Sequence, residues 1–479
     1  MRPRFHLLTR SAADERPAPR RGNGARILVV SPRAHIQVIP DVFASLLESG
    51  AEVIFSGQGA AKIQRTVDRF AHPLASAVAL PFRRTGPDAA AVKLLRSLCD
   101  LMLFFHPELK VAHWARARAA DRFLRASGYP AGKSVAEAVA GFELPEETYS
   151  VLTSTLARAE RSLPPEEDLV QAIDALQVDG ILLVSRCSLG GPEPDVIKAA
   201  HRLGLPTVML VFSWDNLSSK AALHEHPDHV LVWNDTLAWE AGAFHGIPAD
   251  RVRVLGAPNF DRFFVELEAT PAGPAASDGR VTILYLGSSK ASRDEPAIFT
   301  RWLNAVRSAD DPAVREARVV LRPHPGGARG TWQLWQPPDD DLLSIELALK
   351  NEPVTLAHSL RRADVVVALS TSAEIEAAIA GRPVVTFRAG ADAPGQEGLL
   401  HFRYLLGEQG GHVIDSADLD EHVANLARVL HGDYDRERIG AFVERFVRPA
   451  GLARPVSPIV ASTVLDLVAG REPQTASAR

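Results

Sequence analysis

Cysteine is nearly absent from this 479-residue chain: there are two, Cys99 and Cys187, in unrelated segments without metal-ligand spacing. That argues against a disulfide framework or a zinc site and fits a reducing cytoplasm. Long apolar runs are missing too. None reaches the roughly 18 residues a membrane span needs, and the first residues lack the apolar centre of a signal peptide. The net charge is small, −5 with histidines neutral, so nothing favours nucleic acid as a partner. No repeat of solenoid period is present either.

What is present is material for a large core. With 46% hydrophobic and 23% charged residues the composition is globular, and the length exceeds one hydrophobic core, so two domains of about 200 residues each are expected. Only the ends read as disordered. Residues 1–25 are Arg- and Pro-rich and read as a disordered leader, with a basic arm touching anionic lipid as the alternative.

Order begins at Arg26–Ser31, an apolar run of buried-strand type, followed by a helical stretch Asp41–Ser49 and a second strand Ala51–Ser56. This opens a parallel βαβ unit. Further strands are expected at Gly180–Ser185, Pro206–Val211 and His229–Trp233, with helices over about 90–175 as an insertion. The insertion contains the run Leu98–Phe105, of core-helix length; the flanking Arg83, Arg84, Lys93 and Arg96 leave a membrane-surface helix as its alternative. The small, Pro/Gly-rich segment 268–280 reads as a linker. After it the strand and helix rhythm restarts, with strands at Val281–Leu286, Ala317–Arg322, Asp364–Leu369 and Pro383–Phe387. The expected fold class is α/β, with two Rossmann-like domains facing a cleft.

The densest chemical signal lies at Ser370-Thr371-Ser372, where a buried strand meets a helix. Unpaired amides and the helix dipole there would receive a pyrophosphate, with Glu376 one turn on to accept ribose hydroxyls. Two neighbouring strand ends add Gly287-Ser288-Ser289-Lys290, small and carrying one cation, and Arg322-Pro323-His324-Pro325, in which prolines hold the histidine in an extended loop. Ligands of open α/β sheets bind at such strand ends.

The first half offers His35, in the loop Ser31–His35 after the first strand, with an ordinary pKa suited to a base. It also offers the polar cluster Phe212–Lys220, in which Asp215 is an alternative base and Trp214 a sugar-stacking platform; an Asx-capped turn is the plainer reading. Gln396, Glu397 and His401 are candidate donor-sugar contacts, whereas Asp339-Asp340-Asp341 reads as a solvated acidic loop and no metal ligands are assigned.

Arg322-Pro-His-Pro325, the junction Ser370–Glu376 backed by Gly381-Arg-Pro-Val384, and Phe446–Gly451 give the second half its family likeness. It resembles the C-terminal domain of the two-domain B-type glycosyltransferase (GT-B) fold. In particular it resembles the branch with bacterial glycerophosphotransferases, capsule-sugar transferases and non-hydrolysing UDP-N-acetylglucosamine epimerases. The resemblance implies that His324, Ser370 and Ser372 contact donor phosphates and that Glu376 holds the ribose.

The resulting division is a leader over 1–25, an acceptor domain over 26–267, a linker over 268–280, a nucleotide-donor domain over 281–450, and a C-terminal helix and tail over 451–479. The function expected is glycosyl transfer from a nucleotide-diphosphate donor to an acceptor hydroxyl. The donor is a substrate, no other cofactor or metal is expected, and the acceptor is a glycan, a lipid-linked or a small molecule. The expected location is cytoplasmic, with peripheral contact at the inner face of the membrane as a variant. Catalytic candidates are His35 and Asp215; donor-binding candidates are Gly287, Ser288, Ser289, Lys290, Arg322, His324, Ser370, Thr371, Ser372 and Glu376. A polyol-phosphate transferase, a nucleotide-sugar epimerase and a non-catalytic nucleotide-binding protein are the rival readings.

Overall fold

The computed structural model describes residues 24–129, 133–185, 190–271, 279–288, 294–324, 331–346, 355–390, 396 and 398–473. Two parallel sheets organise them. The first contains β1 (Arg26–Val30), β2 (Glu52–Ser56), β3 (Ala75–Ala77), β4 (Gly180–Ser185), β5 (Thr207–Val211), β6 (His229–Val232) and β7 (Val252–Val254), in the order β3-β2-β1-β4-β5-β6-β7. The second contains β8 (Thr282–Leu286), β9 (Arg318–Arg322), β10 (Leu343–Ile345), β11 (Val365–Ala368), β12 (Val384–Val385) and β13 (Val413–Ile414), in the order β10-β9-β8-β11-β12-β13.

Every pairing is parallel. The sequence explains this: Ile27, Leu28 and Val29, like Val365, Val366 and Val367, are all fully buried, as expected of strands covered by helices on both faces. In each sheet the strand order reverses beside the first strand, between β1 and β4 and between β8 and β11. These are the switch points at which α/β sheets open a crevice.

The run Leu98–Phe105 lies largely in the helix Ala89–Leu103, where Leu101, Leu103 and Phe104 pack with Ala115, Ala119 and Phe244. It is core. Two of the cations that left a membrane-surface alternative point inward instead: Arg96 pairs with Glu160 at 2.9 Å and Asp195 at 2.8 Å, and Arg84 with Asp195 at 2.9 Å. They anchor the insertion to the helix Glu193–Arg202. No helix of the described residues is long and apolar enough to cross a membrane.

The helix Val456–Val468 follows the second sheet in sequence but packs on the first. Val456, Val460, Val464 and Leu467 join Ile27, Val29, Phe43 and Leu46 in one core. Asp261 fixes its start, accepting from the Val456 amide at 3.0 Å, the Ser457 amide at 2.7 Å and Arg448 Nη2 at 2.7 Å. A carboxylate at a helix N-terminus satisfies otherwise unpaired amides. Gly256, at φ 110°, lets this crossing pass, because a Cβ there would lie 2.7 Å from Val456 Cγ2 and 2.9 Å from the Val447 carbonyl.

Candidate functional site

A cavity of about 480 Å³ lies between the sheets and gathers residues from the carboxyl ends of strands in both. From the first come His35, Phe212 and the Ser213–Lys220 turn; from the second come His324 and Ser370–Ser372. An apolar layer that includes Val211 and Trp233 of one half and Leu284, Val366 and Phe446 of the other packs the two together.

His35 does not sit in a loop. Pro32 ends β1 and starts a short helix, Arg33–Val38, which turns the imidazole back over the switch point. The ring stacks on Phe212, centroids 3.7 Å apart, and Nδ1 lies 3.4 Å from the Val184 carbonyl of β4. A carbonyl can only accept, so this contact favours a proton on Nδ1 and leaves the basic lone pair on Nε2.

Asp215 is a different kind of group. Its carboxylate meets Lys220 Nζ at 2.6 Å and Asn216 Nδ2 at 3.1 Å. Burial works to raise its pKa, but Lys220 and the nearby His401 outweigh that and hold it well below the usual carboxylate range. It is therefore a weak proton acceptor and a strong anchor for Lys220. The expected Asx cap is not what closes this turn: Asp215 precedes the short helix Asn216–Ser219 without a side-chain cap bond, and Asn216 Oδ1 instead accepts from the preceding Ser213 amide at 2.9 Å. Trp214 lines the cavity with little open surface, being 5% exposed and in edge contact with His401 and Phe446 at 4.7 and 6.3 Å.

At the second domain's strand ends, protein carboxyls already hold the amides that the sequence leaves open. The amides of Ser370 and Thr371 donate to the two oxygens of Glu374, at 3.2 and 3.1 Å. Ser370 adopts a left-handed φ of 66°, uncommon for a residue with a side chain, to make this turn. Likewise the Ser288 amide donates to Glu295 at 2.7 Å. Burial pushes Glu374 up to about 8 and Glu295 up to about 7, against the hydrogen bonds that work to lower them. The expectation of unpaired amides at Ser370–Ser372 is thus corrected for Ser370 and Thr371, whose amides are capped internally.

Several candidates serve the scaffold. Gly287 is small because β9 approaches it: a Cβ would lie 2.8 Å from the His324 amide nitrogen and 3.0 Å from Pro323 Cα. Arg322 turns away from the cavity toward Glu346, 3.4 Å, and Ser359 Oγ, 3.2 Å. Glu376 does not line the cavity; surrounding protein, and then Glu266, push its carboxyl up to about 7, against Arg322. Gln396 is fully used within its own loop, by the Ala389 amide, Thr386 Oγ1 and the Phe387 carbonyl. Asp340 is not solvated but pairs with Arg307 at 2.8 Å. Cys187, Ser289, Lys290, Pro325 and Glu397 lie outside the described residues.

Three cavity residues stand out beyond the catalytic and donor-binding candidates. Trp114 and Arg118 come from the insertion helix His113–Ala126, and His401, a candidate sugar contact, comes from the turn after Leu399. His401 is held neutral, burial pulling it down to about 4. Only the four-residue spacing of Trp114 and Arg118 could have flagged them, and that spacing alone is indistinguishable from a surface helix face. No group of described residues has the geometry to hold a metal ion.

No family model and no curated protein matches the sequence. Solved structures do match. A putative UDP-N-acetylglucosamine 2-epimerase from Listeria monocytogenes is similar over 94% of this chain and 98% of its own, with a TM-score of 0.50 and 10% identity. UDP-GlcNAc 2-epimerase from Neisseria meningitidis, bound to UDP-GlcNAc, covers 92% and 100% at TM-score 0.49 and 12% identity. MurG from Acinetobacter baumannii covers 93% and 98% at TM-score 0.42 and 14% identity. Two Rossmann-ordered sheets facing a cleft, closed by a C-terminal helix that returns to the first, define the two-domain B-type glycosyltransferase fold, and this chain has it.

Proposed function

We propose that this protein is an enzyme that transfers a sugar from a nucleotide-diphosphate donor to an acceptor hydroxyl. The observation that carries the reading is the composition of the interdomain cavity: an imidazole at one switch point shares it with hydroxyls at the other and with a second imidazole, His324, from the neighbouring strand end. The donor lies against the second domain, with His324, Ser370 and Ser372 at its phosphates and its ribose extending past the cavity wall toward Glu376. Glu374 at about 8 is mostly in its acid form at pH 7, so it does not oppose an arriving phosphate with a full charge.

His35 is the base. Its Nε2 takes the proton of the acceptor hydroxyl as the oxygen attacks the sugar, and the donor's diphosphate leaves toward the dipoles and hydroxyls of the second domain. Asp215 keeps Lys220 in place and stays ionised throughout.

A thermal-shift series of nucleoside diphosphates tests the donor side, beginning with UDP because the fold is shared with the putative UDP-N-acetylglucosamine 2-epimerase named above. At a hundred times its Kd the matching nucleotide stabilises the fold by about 2.7 kcal/mol, a shift of several degrees. An unchanged midpoint across the uridine, cytidine, guanosine, adenosine and thymidine series at millimolar concentration refutes the reading. Labelled donor then separates reactions: transfer requires an acceptor, epimerisation proceeds without one.

A further inference from the structure

The insertion helix His113–Ala126 brings an unbalanced positive charge to the cavity. Trp114 and Arg118, one turn apart, both line it, and the Arg118 guanidinium lies over the Trp114 ring, 4.9 Å from its centroid. One arm of that guanidinium donates to the Ser219 carbonyl. Among the described residues Arg118 has no ion-pair partner. The next cation, Lys220, is matched one to one by Asp215 at 2.6 Å, and Asp215 is the one carboxylate among the described residues lining the cavity.

A half-buried guanidinium without a counterion is costly, and burial together with Arg122 depresses its pKa against the weaker pull of Asp215. Guanidinium is planar, retains its charge at neutral pH, and has donors left in a fork that fits two oxygens of a carboxylate or phosphate. The neighbouring imidazole of His401, at about 4, adds no charge of its own.

Resting on the transfer reading above, we infer that the acceptor carries an oxyanion, a carboxylate or a phosphate, beside its reactive hydroxyl, and that Arg118 binds that group. The donor's diphosphate is the other source of the same chemistry. The acceptor is favoured because Arg118 and Lys220 both belong to the half of the cleft that carries His35, whereas the small, hydroxyl-rich loops belong to the other half.

The test uses the full chain as native protein, Arg118→Gln and Arg118→Lys, titrated calorimetrically with paired probes: glycerol against glycerol 3-phosphate, and glucose against glucose 6-phosphate and glucuronate. The native protein should bind an anionic member at least about tenfold more tightly than its neutral partner, the scale of one charge-assisted hydrogen bond. Arg118→Gln should bring the pair within about twofold, and Arg118→Lys, which keeps the charge but not the fork, should fall between. Nucleoside diphosphate affinity should change by less than about threefold in both variants, and their thermal midpoints should match the native one.

Equal affinity of native protein for neutral and anionic probes overturns the inference. So does a loss of nucleoside diphosphate binding in Arg118→Gln as large as the loss of anion preference, which would assign Arg118 to the donor. If no nucleoside diphosphate binds while an Arg118-dependent anion preference persists, the transfer reading falls and the anion site stands.

Discussion

The two halves of the cleft are built on the same strand order, yet their strand ends do opposite things with charge. In the second domain the turns after β8 and β11 draw a glutamate from the following helix into their own amides, Glu295 and Glu374, and burial keeps Glu374 mostly and Glu295 about half protonated at pH 7. In the first domain the ends of β1 and β5 carry an imidazole and an ionised Asp215–Lys220 pair, to which the insertion adds Arg118. One backbone plan thus supports a face made of dipoles and hydroxyls and a face made of full charges. What distinguishes them is a few side chains at the strand ends and not the topology.

That contrast can be broken most sharply at His35. His35→Ala should lower turnover by about a hundredfold or more while donor Kd stays within about twofold, whereas Asp215→Asn should retain a base and lose activity mainly through a displaced Lys220. Steady-state kinetics with a separate nucleotide titration decides it. Full activity in His35→Ala would move the base elsewhere.

On the other face, Gly287→Ala forces a Cβ into the backbone of Pro323 and His324. It should cost about 1–3 kcal/mol in urea unfolding, with weakened nucleotide binding as β9's loop shifts. Glu376→Gln should weaken the ribonucleotide about tenfold and leave a 2′,3′-dideoxy nucleotide unaffected, at a stability change below about 0.5 kcal/mol. Identical titrations for native and variant would remove Glu376 from the site.

The smallest effect is on pH. Burial pushes Glu374 up to about 8, and likewise Glu240, which lies in the helix Asp235–His245 and accepts from Tyr404 at 2.7 Å, against about 4.3 in an unfolded chain. Between those values the folded state binds more protons, so stability falls as pH rises through the window. The midpoint should be lower at pH 8.5 than at pH 7, above the range in which buried, neutral histidines such as His245 and His401 work in the opposite sense, and the double variant Glu240→Gln, Glu374→Gln should flatten that slope. A native midpoint that rises over this range contradicts the assignment.

Much of the scaffold was legible because buried parallel strands are written as uninterrupted apolar runs. Gly180–Ser185 is a strand over the same residues that the pattern predicts, and the others differ by one to three residues. The short strands Ala75–Ala77, Val252–Val254 and Leu343–Ile345 lie away from the centres of their sheets and carry no such signature. For the site, polar loops at strand ends were readable, but the partners of their groups were not. Nothing local in Ser370–Glu376 says that Glu374 turns back on its own amides. Trp114 and Arg118 reach the cleft through tertiary packing of the insertion, to which helical spacing is blind.

The return of Val456–Val468 to the first sheet also orders events in time. A ribosome releases the β1–β7 strands long before the helix that completes their core, so the first domain waits, its face over Ile27, Val29 and Phe43 uncovered, while the whole second domain is made. At about 5–20 residues per second that interval is roughly 10–40 s, during which the domain that begins first must finish last.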